Sequence, residues 1–248
     1  MRKLKAQILE NEEVGPGLFS IRLDVPDTLT VEPGQFFEIK TDVRFLRRAF
    51  SIADMHDGGL RLIIRVVGPG TKWLATLKPG TFLNLLGPLG QGVKLPQEGP
   101  VMLLGGGVGI APLLFLARRL AESGITTDAL LAVCSQNELI CVEDFGNLTR
   151  EVMIATDDGS CGREGLLTEV LPSIPGFEEA KVFYACGPEP MLAALKKLEI
   201  NKPVYAFLES RMGCGTGLCV GCAVKNNNGK YIRVCLDGPV FDLGKISL

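Results

Sequence analysis

The chain has 248 residues, 46% of them hydrophobic and 22% charged, with a formal net charge of −2. That length suits two domains and a small appendage, and the near-balanced charge without a basic run excludes an ordinary nucleic-acid binder. The polar opening MRKLKAQILENEE lacks the apolar core of a signal peptide, and Gly99 to Ala117, the only uncharged stretch of membrane-spanning length, is interrupted by glycines and Pro112, so a soluble cytoplasmic protein is expected.

Residues 1–97 read as short alternating strands separated by turn signals. Strands are expected at Gln7–Glu12, Leu18–Val25, Gln35–Thr41, Arg48–Ala53, Leu60–Val67 and Thr81–Leu86, with Pro33-Gly34, Gly58-Gly59 and Pro79-Gly80 between them. This spacing predicts a small antiparallel barrel, interrupted by a helix at Lys72–Leu77 with Thr71 as its N-cap. Two stretches carry possible chemistry. Arg48-Ala49-Phe50-Ser51 sets a cation, a flat ring and a hydroxyl on one strand, the groups a flavin dinucleotide needs; the plainer reading puts Phe50 in the core and Arg48 in solvent. Arg65 to Thr71 runs through a glycine-bearing turn into a helix, where free N–H groups suit phosphate, or where an ordinary strand-to-helix turn suffices.

Residues 98–208 alternate strand and helix, which predicts a doubly wound parallel sheet. Val101–Leu104, Ala129–Cys134, Glu151–Thr156, Lys181–Cys186 and Val204–Phe207 are its strands; Ile110–Ser123, Leu166–Leu171 and Pro190–Leu198 are its helices. The loop Gly105-Gly106-Gly107-Val108-Gly109 departs from the dinucleotide fingerprint, because Ile110 stands where G-x-G-x-x-G needs its last glycine. No acidic residue closes the second strand. A glycine-lined crevice at the strand ends remains, with Asp157, Asp158, Cys186, Gly187 and Glu209 at neighbouring ends. The carboxylates suit ribose hydroxyls or a carboxamide, or serve as turn residues. The absence of Arg or Lys just after the second strand favours NAD over NADP. His56, the only histidine, sits in a turn between charged residues, which argues against hydrolase chemistry.

Residues 209–248 hold the most specific signal. Cys214, Cys219, Cys222 and Cys235 follow C-x4-C-x2-C with a fourth cysteine beyond, the spacing of a plant-type 2Fe-2S site. Gly213, Gly215, Gly217 and Gly221 let the backbone wrap an anionic cluster, and Asn226–Gly229 turns a hairpin whose strand Lys230–Val234 brings back Cys235. Four-cysteine zinc and disulfides are the alternatives; zinc sites usually show two separated C-x2-C knuckles, and only one is present. The other thiols, Cys134, Cys141, Cys161 and Cys186, are expected reduced and mostly buried.

In this order, R-x-F-S, G-G-G-V-G-I-A-P, C-G-P-E-P-M and the cysteine loop, the chain resembles the ferredoxin reductase superfamily throughout. Leu208 to Gly215 and Val234 to Phe241 resemble the electron transfer subunits of class 1B dihydroorotate dehydrogenases. The resemblance implies FAD in the barrel, with Arg48 at the pyrophosphate, Phe50 and Ser51 at the ring, Ile63, Ile64 and Arg65 along the ribityl side, and Gly70 and Thr71 at the phosphates. Ala49 replaces the proline common there. It also implies a nicotinamide nucleotide over Gly106, Gly107, Gly109 and Pro112, with Asp157 near it and Cys186 and Gly187 at the nicotinamide end, and the cluster on the four cysteines. No catalytic side chain is implied. The implied partner is an FMN-bearing dihydroorotate dehydrogenase subunit in a heterotetramer of pyrimidine biosynthesis. A reductase subunit serving ferredoxin, hydrogenase or polysulfide, and a zinc-stabilised non-redox module, are the other readings.

Overall fold

The described residues are 2–56 and 58–248 of a computed structural model. Period-two alternation builds the first sheet. Its strands are β1 (Arg2–Gly15), β2 (Leu18–Asp24), β3 (Phe36–Ile39), β4 (Arg48–Ser51), β5 (Asp54–His56), β6 (Gly59–Arg65) and β7 (Phe82–Leu89), antiparallel in the order β4-β3-β7-β1-β2-β6-β5. The two edge strands are consecutive in the chain. Ile52 N–H donates to Gln35 O (3.2 Å) and Ala53 N–H to Arg61 O (2.9 Å), so one run from Arg48 to His56 pairs with both ends of the sheet. The sheet therefore curls into the expected barrel.

The alternation has two readable faces. On β6, Leu60, Leu62 and Ile64 enter the barrel core, while Arg61, Ile63 and Arg65 face the neighbouring domain. The barrel departs from the sequence reading at β1, which starts at Arg2 because Leu4 and Ala6 continue the inward set behind a basic outer face. It departs again at the helix. α1 (Pro69–Ala75) is N-capped by Gly68, so Thr71 is not the cap but lies within the first turn, where its hydroxyl accepts from Val67 N–H (2.9 Å) and Gly68 N–H (3.2 Å).

The second sheet is doubly wound, as expected. β8 (Val101–Gly106), β9 (Thr127–Val133), β10 (Glu151–Thr156), β11 (Arg163–Glu164), β12 (Val182–Cys186) and β13 (Val204–Phe207) run parallel in the order β11-β10-β9-β8-β12-β13. β8 and β9 are buried along their whole length, as strands covered on both faces must be. Four helices flank them: α2 (Ile110–Glu122), α3 (Val142–Leu148), α4 (Leu167–Val170) and α5 (Glu189–Lys197). α2 is squeezed between sheet and barrel, with Phe115 in the barrel core, which explains its long uncharged stretch. Among the described residues no helix is long and apolar enough to cross a membrane.

The remaining segment forms a hairpin of β14 (Ala223–Lys225) and β15 (Tyr231–Arg233), a one-turn helix α6 (Val234–Asp237) and β16 (Val240–Asp242). Asn226 makes the turn: its Oδ1 accepts from the N–H groups of Asn228 (3.1 Å) and Lys230 (2.9 Å), and Gly229 takes φ +74. The expected strand Lys230–Val234 is shorter, ending at Arg233, and Val234 with Cys235 after it lies in α6. β16 then pairs antiparallel with β13, so the tail supplies the last strand of the second sheet.

Barrel and second domain are joined by charge as well as apolar packing. Asp54, fully buried, receives two hydrogen bonds of 2.6 Å from the Arg118 guanidinium on α2. Arg61 meets Asp144 at 2.8 Å. Removing one member of a buried pair strands the other, so Asp54→Ala should lower stability by about 3 kcal/mol. Urea unfolding of the holoprotein checks this; a loss no larger than that for exposed Glu10→Ala contradicts it.

Candidate functional site

The Arg48 side chain reaches the start of α1. A Cβ on Gly70 would sit 3.5 Å from Arg48 Cγ and Nε and 3.7 Å from Thr41 Cγ2. Thr41 is buried and its Oγ1 has no partner among the described residues. Arg48, whose Nη1 also donates to the Leu46 and Arg47 carbonyls, and Thr41 thus both lie at the first turn of α1, residue types that suit a pyrophosphate. Sequence reasoning missed Thr41, which only the curl of β3 toward α1 makes relevant. On β4, Phe50 packs on the barrel core, whereas Ala49 faces the other way, toward an apolar cluster that includes Cys222 and Cys235. Ser51 is half-buried opposite Phe36. The Ile64 side chain is buried in the barrel core and Ile63 in the seam with α2, so neither side chain presents a face to a ligand.

A cleft of about 740 Å³ opens between β8 and β12, where the chain reverses direction across the sheet. Gly106, Gly107, Gly109, Asp157 and Gly187 line it, as do Glu189 and Glu209; Pro112 and Cys186 lie behind its wall. Gly109 is fixed by close approach: a Cβ there would stand 2.5 Å from Cys186 O and 2.7 Å from Gly187 N. Burial pushes the Cys186 thiol well up, and Glu209 adds to it, so this sulfur is neutral and buried rather than a nucleophile. Two lining residues came from elsewhere than expected. Arg65, read from sequence as a flavin residue, reaches the cleft and pairs at 2.8 Å with Glu138. Glu138, in the turn after β9, supplies an acidic group that the end of the strand itself lacks.

The four cysteines fall into two pairs. Cys214 Sγ accepts from Thr216 N–H and Cys219 N–H (both 3.4 Å), and Cys222 Sγ lies 3.2 Å from Cys235 Sγ. Burial raises the Cys214 thiol, but these N–H groups outweigh it and bring it down to about 6. Gly215 and Gly217 take φ +62 and +83. Val220, at φ +58, is a β-branched residue in the left-handed region, held there between Cys219 and Cys222. Among the described residues no three His, Cys, Asp or Glu side chains are gathered to hold a single metal ion. Two thiol pairs with N–H groups aimed at sulfur suit two irons, each taking two thiolates, better than one tetrahedral ion. All eight cysteines are free. The other four correct the sequence reading: Cys134 is exposed, Cys141 and Cys161 are partly covered, and only Cys186 is buried.

A family profile described as the iron-sulfur cluster binding domain of dihydroorotate dehydrogenase B matches residues 209–247, and an oxidoreductase FAD-binding domain matches residues 5–93. The chain is 38% identical over 245 residues to the dihydroorotate dehydrogenase B (NAD(+)) electron transfer subunit of Caldanaerobacter subterraneus subsp. tengcongensis, covering 96% of each. It belongs to that family of electron transfer subunits. An Aquifex aeolicus protein named as a homolog of the subunit is 36% identical over 253 residues, covering all of both chains. A solved chain described under flavin-based electron bifurcation by an NADH-dependent reduced ferredoxin-NADP oxidoreductase superposes with a TM-score of 0.88 at 30% identity, covering 98% of this chain and 89% of that one. The family accounts for the flavin barrel and the cysteine loop together: this is an FAD- and iron–sulfur-containing, NAD-linked oxidoreductase subunit of the ferredoxin reductase fold.

The cleft yields a paired test. At Gly109 an added methyl meets main chain that cannot give way, whereas at Gly187 it meets the flexible end of Met191. Gly109→Ala should therefore weaken NADH binding about five-fold or more, in line with about 1–3 kcal/mol of overpacking, and Gly187→Ala clearly less. Nucleotide titrations of the two variants decide it; equal effects would refute the close-approach argument.

Proposed function

We propose that this chain carries electrons between an FMN-bearing dihydroorotate dehydrogenase subunit and NAD+, in a cytoplasmic heterotetramer of pyrimidine biosynthesis. FAD exchanges hydride with nicotinamide and single electrons with a 2Fe-2S cluster, chemistry that no side chain supplies. The observation that carries the reading is the seating of the cysteine loop directly on the barrel that bears Arg48-Ala49-Phe50-Ser51, at Gly215 over Glu38 and Leu89.

The residues divide the work. Arg48, Thr41, Gly70 and the first turn of α1 hold the pyrophosphate; Phe50 and Ser51 flank the flavin ring. Gly106, Gly107 and Gly109 carry the nicotinamide nucleotide, Asp157 and Glu138 face its ribose, and Cys186 with Gly187 closes the nicotinamide end. Cys214, Cys219, Cys222 and Cys235 ligate iron. We also propose the division 1–97, 98–208 and 209–248, with β16 borrowed by the middle part. Around the cysteine loop Leu218 is 85% exposed, Val220 54% and Tyr231 60%. An apolar surface beside a cluster supports a protein partner at that face.

The likeness to the ferredoxin-NADP oxidoreductase chain favours a second reading, in which the same body serves a different partner. Mixing separates the two: dihydroorotate should reduce NAD+ only when an FMN-bearing partner is added. Failure of the reconstituted pair, with ferredoxin reduction intact, would favour the second. Zinc in place of iron, with no flavin absorption, would end both. At single residues, Cys219→Ser should remove the cluster yet keep FAD and NADH oxidation by a dye. Arg48→Ala should weaken FAD by about 1.5–3 kcal/mol, read by flavin release on dilution. Undiminished FAD affinity in that variant would move the pyrophosphate elsewhere.

A further inference from the structure

Three carboxylates are buried among the described residues, and two have guanidinium partners: Asp54 with Arg118 and Asp128 with Arg150. Glu38, on β3, is the third. It is 1% exposed, forms no ion pair, and its Oε1 has no hydrogen-bond partner among the described residues. Arg47 comes near but donates to the Glu38 backbone oxygen and to Asn84 instead. A leucine would fill the same space without the cost of burying an unsatisfied carboxyl.

The position of Glu38 suggests what the group is for. Phe37 and Ile39 point into the barrel core, so Glu38 points outward, away from it. It stands opposite Ala49 in the ladder between β3 and β4, and so beside the strand that bears Arg48, Phe50 and Ser51. Beyond it is the cysteine loop. A Cβ on Gly215 would lie 2.8 Å from Glu38 Cδ, 2.9 Å from Glu38 Oε1 and 2.8 Å from Leu89 Cδ1. Gly215 is the residue after Cys214, and at φ +62 it turns the loop over Glu38. One side chain, beside Ala49 in the ladder, therefore lies under the cysteine loop, and it presents an acceptor oxygen without a partner among the described residues.

We propose that Glu38 is a positioning residue for the iron–sulfur cluster: buried beside Ala49 and packed under Gly215 next to Cys214, its carboxyl oxygen holds the cluster's reduction potential low. An acceptor oxygen fixed close to the cluster in a poorly solvated wall disfavours the arrival of another electron. The ordering of potentials between flavin and cluster is then set from the barrel, not by the cysteine loop alone. This rests on the functional reading above, because it requires both groups in the chain.

The test uses the natively prepared holoprotein and its Glu38→Gln and Glu38→Leu variants, with exposed Glu12→Gln as control. Iron and FAD are assayed in each, and midpoint potentials of cluster and flavin are measured by redox titration followed by electron paramagnetic resonance and absorbance. Both Glu38 variants should keep iron and FAD and show a raised cluster potential, with the flavin potential unmoved. Gln should raise it more than Leu, since its amide can donate toward sulfur. An unshifted potential in iron-replete Glu38→Gln overturns the proposal, as does an equal shift in Glu12→Gln. Iron loss from Glu38→Gln overturns it too, by making the residue an assembly requirement. Wild-type protein without iron would instead sink the functional reading itself.

Discussion

The structure depends on one run of backbone, Arg48 to His56, which pairs with β3 at one end of the first sheet and β6 at the other. By pairing with both β3 and β6 it brings the two ends of the sheet together and curls it into the barrel. The same run contains Arg48-Ala49-Phe50-Ser51 and delivers Asp54 to Arg118, so that motif and the ion pair between barrel and α2 are only a few residues apart.

Legibility from sequence followed how local each signal was. The barrel strands were readable because alternation is a short-range pattern, and β8 and β9 because strands covered on both faces are apolar throughout. The cysteine spacing was readable as a pattern, and the structure brings Cys222 Sγ within 3.2 Å of Cys235 Sγ. β5, β11 and β16 were not, since strands of two or three residues exist only through partners far away in the chain. Thr71 misled because the helix starts earlier, at a proline that a first turn tolerates. Glu38 was invisible: Phe36-Phe37-Glu38-Ile39 looks like an ordinary strand with one polar residue outward, and nothing local says that a glycine from residue 215 will cover it. The meeting of Arg65 with Glu138 is of the same kind.

α2 explains how three parts behave as one. It lies under the glycine loop at one end, packs along the parallel sheet, and inserts Phe115 into the barrel. Its hydrophobicity all round is that of a helix with no solvent face over most of its length. The glycine loop at its N-terminus is therefore referenced to the barrel as well as to its own sheet.

The antiparallel pairing of β16 with β13 has a practical side. A chain cut before residue 209, to obtain a reductase core without its metal loop, would strip the outer ladder from Tyr205, Ala206 and Phe207. Those amide and carbonyl groups would then be offered to any passing strand, including one from another copy. Such a fragment is an invitation to self-association, and a colourless or clumped preparation of it would say little about the intact molecule.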